Sequence, residues 1–230
     1  MILREKYRQK EEQADFTELA EIAARSEPPK PTAELNQSEP EPEPPPQGRN
    51  LAPLYAQNRD FLGWLCIPGT EIDYPIMHTP SNPQKYLRRS FDGKYSVSGV
   101  PFLDYRCSAE SDNLIVYGHN MKNGTMFGTL KRYTDRDFLD EHPIIECETE
   151  SGCARYKVFA VAYVQKTDDW YSFIDAEGEA DYAEWIKYIH SKAMLTADIV
   201  PAYGQRLLTL STCHGSGKDG RLLVVAARIQ

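Results

Sequence analysis

Two short runs, Arg206-Leu-Leu-Thr-Leu-Ser-Thr-Cys213 and Arg221-Leu-Leu-Val-Val-Ala-Ala-Arg228, decide the fold of this 230-residue chain. Both are rich in Leu, Val and Thr, a composition typical of β-strands. The segment between them, His214-Gly-Ser-Gly-Lys-Asp-Gly220, contains three glycines and is typical of a flexible turn. We therefore predict two antiparallel strands that place Cys213 beside Arg221.

The end of the first strand has the features of a thiol site. Alternation along the strand puts Cys213 on the more polar face, together with Thr209 and Ser211. The guanidinium of Arg221 is charged at any ordinary pH, so it can favour a thiolate and hold a developing oxyanion. A free cysteine is often only a small buried hydrophobic residue, so this interpretation requires a partner for the thiol.

Of the five histidines, His119 is the best candidate partner. It follows the apolar run Leu114–Gly118, so a rigid sheet would present its side chain at the rim. His190 is predicted to be a solvated helix residue, and His214 to point away from Cys213 because neighbouring strand residues alternate. The two remaining histidines have ordinary loop or helix-end interpretations: His78 and His142.

A cysteine, a histidine and an arginine on three strand ends would supply a complete set of groups for acyl transfer. Cys213 would be the nucleophile, His119 the proton donor for a leaving amine, and Arg221 the oxyanion stabiliser. The sequence does not require an Asp or Asn as a third member, so the arginine would take that electrostatic role. We therefore predict chemistry that proceeds through a thioester.

Composition restricts the class of protein. The net charge of -8 and the pI of about 5.2 argue against binding nucleic acid or an anionic lipid surface through the overall field. No run approaches the roughly 18 apolar residues of a membrane span, and the first residues lack the apolar centre of a signal peptide. We expect a soluble chain from which an anchoring segment has been cut.

The five cysteines are too few and too irregularly spaced for a disulfide scaffold, and no C-x-x-C pair indicates zinc. We therefore predict neither a metal site nor a cofactor. Cys147 and Cys153 flank a predicted hairpin turn and could face each other, but two thiols are the favoured state. Cys66 lies in an apolar run and is predicted to be a small core residue.

The N-terminal part divides into a helix and a linker. Residues 1–25 are predicted to form a mostly solvated amphipathic helix, with Phe16, Leu19 and Ala23 at helical spacing. Residues 26–49, rich in Pro and Glu, are predicted to be an extended linker. The catalytic domain is predicted to span residues 50–230.

This domain is predicted to be mainly β, and to be either a barrel or a sandwich with helical insertions. It should begin with Asn50 as the N-cap of a short helix, and residues 79–100 should form a polar loop. One longer helix should begin at Asp181, which has capping-box spacing to Glu184, and run to about Leu195.

The residues around the proposed site resemble the signature of the sortases. The resemblance lies in Thr209-Leu-Ser-Thr-Cys213, in Arg221 after it and in Tyr117-Gly-His-Asn-Met121 before it. It covers about residues 51–230, and the helix at 181–195 and the N-terminal helical extension resemble class B sortases in particular. Further similar stretches are Phe61–Thr70, Ile72–Ile76 and Asn123–Gly128.

This resemblance implies a closed β-barrel of about eight strands, with N-terminal helices and one long helix before the cysteine strand. It implies a monomeric transpeptidase anchored at the extracellular face of the plasma membrane of a Gram-positive bacterium. Its substrate would be a sorting signal of the Leu-Pro-x-Thr-Gly or Asn-Pro-x-Thr-x type, cleaved after threonine. The acceptor would be an amine of the cell-wall precursor or a pilin lysine.

The resemblance also implies residue roles. Cys213 corresponds to the nucleophile, His119 to the general acid and base, and Arg221 to the oxyanion or substrate-positioning group. The positions that would contact substrate are Ser211, Thr212 and Asn120. Two alternatives stay open, namely a cysteine peptidase that hydrolyses its thioester and a non-catalytic surface-binding module with an incidental cysteine.

Overall fold

The computed structural model of the chain describes residues 2–24, 48–215 and 219–229, with side chains from residue 9 onward in the first range. The predicted linker at residues 26–49 therefore lies outside the described residues, except for Gly48 and Arg49. The predicted domain boundaries on either side of it stay predictions.

The described part of the chain forms one nine-stranded sheet in the order β5-β1-β2-β3-β4-β8-β9-β6-β7. An additional pairing of β5 with β6 closes eight of these strands into a barrel and leaves β7 outside. The strands are β1 Phe61–Cys66, β2 Asp73–Met77, β3 Phe102–Leu103, β4 Asn113–Tyr117, β5 Ile144–Thr149, β6 Gly152–Gln165, β7 Ala193–Thr196, β8 Leu207–Cys213 and β9 Gly220–Arg228.

Closure depends on the length of β6, which has 14 residues. Its first part pairs with β5, its middle and end pair with β9, and β7 adds to its free side at Ala160–Ala162. A closed ring leaves few open sheet edges, which explains why the chain forms a barrel and not a sandwich. The predicted eight-stranded barrel is therefore confirmed.

Strands β8 and β9 are buried on both faces. Leu208 and Leu210 point into the barrel core, whereas Leu207 packs outside the barrel against a second apolar cluster that contains Tyr182 and Ile189. Strands covered on both faces need nearly continuous apolar sequence, as these two runs have. Their register is therefore strongly specified, because a one-residue slip would exchange the two sets of side chains.

Four α-helices and three short 3-10 helices accompany the sheet in the described residues. None of the described helices has both the length and the apolar character required to cross a membrane. The α-helices are α1 Ile2–Ile22, α2 Ala52–Gln57, α3 Arg136–Glu141 and α4 Glu179–Lys192, and the 3-10 helices are Lys85–Arg88, Gly128–Thr134 and Asp169–Ser172.

Helix α4 differs from its prediction at both ends. It begins at Glu179, two residues before the predicted Asp181, with Gly178 at the N-cap and no side-chain cap. Asp181 instead accepts a hydrogen bond from a backbone N–H that precedes the helix. The helix ends at Lys192, because the following residues pair with the edge of β6 as β7 and do not continue helically to Leu195.

Helix α2 also differs in its cap. Leu51, not the predicted Asn50, is the N-cap residue, and no side chain caps the helix. Pro53 lies in the first turn, where its missing N–H costs no intrahelical hydrogen bond.

Helix α1 packs against the barrel. Phe16, Leu19 and Ala23, the residues expected at helical spacing, are all buried. The Phe16 ring meets Tyr74 of β2 edge-on, with 5.2 Å between the ring centroids. The N-terminal helix is therefore part of the folded unit in the described residues.

All five cysteines lie in the described residues, and none of them forms a disulfide there. Cys147 pairs with Ala154 and Cys153 with Glu148, so the two thiols occupy neighbouring ladder positions whose side chains point to opposite faces. Burial raises the pKa of Cys147 to about 12. The expected pair of thiols is confirmed.

Candidate active site

A cleft of about 470 Å³ opens at the rim of the barrel where β4 and β8 end. These strands are parallel, with Tyr117 beside Ser211, so the residues that follow them reach the same rim. The chemically functional residues that line the cleft are Asp104, Arg106, Tyr117, His119, Lys166, Tyr171, Ser211, Thr212, Cys213 and Arg221.

Cys213 and Arg221 lie side by side on adjacent strands, as predicted. Cys213 is the last residue of β8 and is exposed, and its register partner in β9 is Arg221. The Nη1 atom of Arg221 donates to the carbonyl of Gly220 at 2.9 Å, which orients the guanidinium at the start of its strand. The strand pair therefore presents both side chains to the same cleft.

His119 enters the cleft from the end of β4. Its Nε2 atom lies 2.9 Å from the carbonyl oxygen of Leu87. A carbonyl oxygen only accepts hydrogen bonds, so Nε2 carries a proton in both charge states and Nδ1 is the nitrogen that gains or loses one. The contact therefore fixes which nitrogen of His119 can exchange a proton.

The environment of His119 favours the neutral ring. Burial lowers the pKa of His119 below its ordinary value of 6.5; the Leu87 carbonyl opposes that shift, and the positive charge of Arg88 adds to it. At pH 7 the ring is therefore a neutral imidazole with a free lone pair on Nδ1. This is the protonation state that a general base for a thiol needs.

Gly118 explains how the chain places His119 at the rim. A Cβ atom at this position would lie 2.6 Å from the ring of Phe127, which is closer than van der Waals contact allows. The absence of a side chain at Gly118 therefore lets the segment after β4 pack closely against Phe127. The backbone N–H of Gly118 also donates to the carbonyl of Ser211 at 3.1 Å.

Ser211 and Thr212, predicted to contact substrate, line the cleft but are nearly inaccessible. The Ser211 hydroxyl shares a 2.8 Å hydrogen bond with the hydroxyl of Tyr171, and the Thr212 hydroxyl donates to the carbonyl of Gly118 at 2.7 Å. Both side chains therefore hold the walls of the cleft in the structure. Their contact with substrate stays a prediction.

Asn120 makes a different contact from the predicted one. Its amide Nδ2 donates to the backbone carbonyl of Cys213 at 2.8 Å. This bond joins the segment after β4 to the end of β8, so it holds the backbone of the proposed nucleophile beside that of His119. A direct contact of Asn120 with substrate stays a prediction.

An aromatic wall that the sequence did not reveal forms one side of the cleft. Tyr117 packs between Phe102 and Tyr171, with ring-centroid distances of 5.5 and 6.1 Å. Burial raises the pKa of Tyr171 to about 12, so its hydroxyl stays protonated and hydrogen-bonds Ser211. The three rings offer an apolar surface beside the thiol.

A buried carboxylate supports this wall. Asp104 accepts from Nε and Nη2 of Arg106 at 2.9 and 2.8 Å and from the hydroxyl of Tyr117 at 2.8 Å. Burial alone would raise the pKa of Asp104, but the hydrogen bonds from Arg106 and Tyr117 lower it below its usual value. The aspartate is therefore ionised and holds Tyr117 in place.

Two further histidines, His190 and His214, lie outside this arrangement. His214 stacks on Tyr163 with 3.8 Å between ring centroids, away from the cleft, as the alternation predicted. His190 is half-buried and packs on Phe159, so the prediction that it is solvated was wrong. Its helix covers the outer face of the barrel, which removes the ring from solvent.

The loop between β8 and β9 is described at both ends, and residues 216–218 lie outside the described residues. The backbone N–H of Lys166 donates to the carbonyl of Asp219 at 2.7 Å, and their side chains form an ion pair at 2.6 Å. This pair is half-exposed and contributes little to stability, but it fixes the end of the loop beside the cleft.

Comparison with known proteins assigns this arrangement to a family. The "Sortase domain" family model matches residues 65–229. The chain is 37% identical over 181 residues to Sortase B of Listeria monocytogenes, an alignment that covers 76% of this chain and 72% of that protein.

Solved structures agree with this result. The crystal structure of sortase B from Bacillus anthracis in complex with AAEK1 is similar with a TM-score of 0.79 at 26% identity, covering 99% of each chain. The Staphylococcus aureus sortase B–substrate complex has a TM-score of 0.78 at 25% identity, covering 97% of this chain and 99% of that one. The chain therefore belongs to the sortase family, and within it to class B.

Proposed function

We propose that this sortase is a cysteine transpeptidase that cleaves a Leu-Pro-x-Thr-Gly or Asn-Pro-x-Thr-x sorting signal after its threonine. The acyl group would pass through a thioester to an amine. The observation that carries this proposal is the convergence of Cys213, His119 and Arg221 from three strand ends on one cleft. The solved structure of the Staphylococcus aureus relative is a sortase B–substrate complex, which supports substrate binding as a role of this fold.

In the first half-reaction, Sγ of Cys213 attacks the threonine carbonyl carbon while Nδ1 of His119 takes the thiol proton. The oxyanion that forms is stabilised by the guanidinium of Arg221. Collapse of this intermediate breaks the peptide C–N bond, and His119 returns the proton to the leaving amine. The product is a thioester on Cys213.

In the second half-reaction, an acceptor amine attacks the thioester carbonyl. His119 takes a proton from the attacking amine, the C–S bond breaks, and the thiol of Cys213 is restored with that proton. The aromatic wall of Phe102, Tyr117 and Tyr171 provides an apolar surface along the cleft for the bound peptide. The net reaction exchanges one amine for another and needs no cofactor.

We further propose that the acceptor amine belongs to the cell-wall precursor or to a pilin lysine. The chain would act as a monomer at the extracellular face of the plasma membrane of a Gram-positive bacterium. The sorting signal and the acceptor would meet at that face.

The test is incubation of the chain with quenched fluorescent peptides of both signal types, with and without triglycine, followed by mass spectrometry. We expect the aminolysis product in the presence of triglycine and no cleavage by Cys213→Ala. Formation of the free acid alone would identify a hydrolytic peptidase. Peptide binding without turnover would identify a binding module, and full cleavage by Cys213→Ala would remove the cysteine from the mechanism.

A further inference from the structure

The loop between β2 and β3, residues 78–101, holds the partner of His119. Its 3-10 turn contains Leu87, whose carbonyl accepts from His119. The returning half of the loop runs back along this turn. Ser96 donates to the carbonyl of Arg88 at 3.1 Å, and Val100 donates to that of Tyr86 at 3.1 Å. The position of the Leu87 carbonyl thus depends on residues 96–100.

Gly99 makes this dependence a direct contact. Its φ angle is +62°, and a Cβ atom would lie 2.6 Å from the carbonyl oxygens of both Tyr86 and Leu87. The glycine backbone therefore packs directly behind the hydrogen-bond acceptor of His119. If this segment shifted, the Leu87 carbonyl would lose the packing of Gly99 against it.

Glu12 of helix α1 holds the same segment from outside the barrel. Its Oε1 accepts from the backbone N–H of Val97 at 2.8 Å. Its Oε2 accepts from the backbone N–H and the hydroxyl of Ser98 at 3.3 and 2.5 Å. The side chain is 8% exposed, and charge-assisted bonds of this kind are the stronger ones in proteins.

We infer that Glu12 is a positioning residue for His119. Its carboxylate fixes Val97 and Ser98, the adjoining Gly99 supports the Leu87 carbonyl, and that carbonyl orients the imidazole. The inference rests on the proposed function in that His119 is taken as the acid and base. Glu12 itself touches neither the cleft nor the thiol; it acts through the loop.

Loss of Glu12 should change the protonation behaviour of His119. Arg88 on the loop is the charged group that acts on the ring, and the other charged and titratable residues of the cleft that His119 lines are Asp104, Tyr105, Arg106, Tyr117, Lys166, Tyr171, Cys213 and Arg221. These are unchanged when Glu12 is replaced, so an effect on the ring must come from its packing. A looser loop admits water to the imidazole and weakens the burial that lowers its pKa. Loss of the Leu87 hydrogen bond acts in the opposite direction, but burial is the larger cause, so we expect the pKa of His119 to rise.

The experiment compares Glu12→Ala with Glu11→Ala, which removes the same charge from an exposed neighbour on the same helix. In the Glu12 variant we expect kcat to fall about tenfold with little change in KM, since a displaced catalytic group costs up to about a hundredfold. The acid limb of its pH profile should move to higher pH. The Glu11 variant should stay within about twofold of the unmodified chain.

Ring-nitrogen NMR of the full chain, assigned with His119→Gln, reads the same effect without substrate. We expect His119 to be the Nε2–H tautomer with a low pKa in the unmodified chain, and to have a higher pKa and mixed tautomers in Glu12→Ala. This readout decides the inference even where sorting peptides are not turned over. Thermal melting shows whether Glu12→Ala folds. If it does not fold, the milder Glu12→Gln and Ser98→Ala variants are measured in its place.

A contrary result would be a lower melting temperature in these variants, with the tautomer, the pKa of His119 and kcat all equal to those of Glu11→Ala. Glu12 would then only stabilise the fold. Restoration of the normal tautomer by Glu12→Gln, which keeps one acceptor oxygen, would support positioning by the hydrogen bonds over positioning by charge.

Discussion

At the scale of single residues, the site depends on side chains that hydrogen bonds to backbone carbonyls hold in place. His119 uses Nε2 for the Leu87 carbonyl and keeps Nδ1, and Asn120 uses its amide to hold the Cys213 carbonyl. Each contact ties a side chain to a backbone carbonyl, whose position varies less than that of a side-chain partner would. The arrangement is thus preorganised before substrate binds.

Arg221→Lys should lose most of the activity, because an ammonium cannot reproduce the planar fork of the guanidinium. Loss of one oxyanion donor costs roughly 10²–10³-fold in kcat in other acyl-transfer enzymes. The check is single-turnover formation of the thioester by mass spectrometry, with Arg228→Lys at the other end of β9 as the matched control. Near-normal turnover would contradict the assigned role of Arg221.

The acid limb of the rate profile should lie below pH 6.5, since burial and the Arg88 charge lower the pKa of His119. Below that pKa the imidazole is protonated and cannot take the thiol proton, so activity falls as the pH falls. Arg88→Gln should move the limb to higher pH, and Arg88→Lys, which keeps the charge, should move it less. The measurement is kcat/KM from pH 5 to 8. If the acid limb is unchanged in both variants, a group other than His119 controls it.

At the scale of elements, the parallel pair β4 and β8 brings the site together, because it directs two strand ends to one rim. The β8–β9 pair was predictable within about one residue, since each strand is a nearly continuous apolar run bounded by charge and glycine. The end of α4 was not predictable from the sequence. The residues of β7 continue the apolar spacing of the helix, and they form a strand only because the edge of β6 is free to pair with them.

Long-range contacts to backbone groups were also beyond prediction. Glu12 binds N–H groups of Val97 and Ser98, and every residue type except proline offers such a group, so no pattern marks the partner. The same holds for the Leu87 carbonyl that binds His119. By contrast, the position of His119 at the rim of the sheet was predictable, because the residue comes directly after a buried strand and one glycine.

Gly118→Ala should impair catalysis through the β4 exit, because its Cβ would lie 2.6 Å from the Phe127 ring. Relieving that clash displaces the segment carrying His119, and a displacement near 1 Å costs on the order of a hundredfold in rate. Gly178→Ala is the matched control, since a Cβ there meets open space. Equal kcat/KM values for the two variants would show that the exit tolerates a side chain.

At the scale of the whole molecule, the ring of eight strands forms one cooperative unit, and α1, α4 and β7 pack on its outside. Both apolar clusters meet at β8 and β9, so these strands cannot be exposed without breaking both. We therefore expect the strands that carry the cleft to open last. The edge strand β7, paired only through three residue positions, has far less to hold it.

Native-state hydrogen exchange should show this difference. Amides of β8 and β9 should exchange only through global unfolding, whereas those of β7 should exchange through local opening with weak denaturant dependence. The protein needs no alteration for this measurement, and β4 provides an internal reference within the ring. Protection of β7 equal to that of β8 would show that the outer strand belongs to the same cooperative unit.

The position of β9 in the strand order also bears on how the protein is made. This strand joins β8 to β6, so a growing chain cannot close the ring until β9 has been synthesised. Synthesis runs from the N-terminus at a few residues per second, roughly 5–20. Cys213 and Arg221 can therefore come together only after β9 is made, and a growing chain that has not reached β9 lacks the arginine of the proposed site.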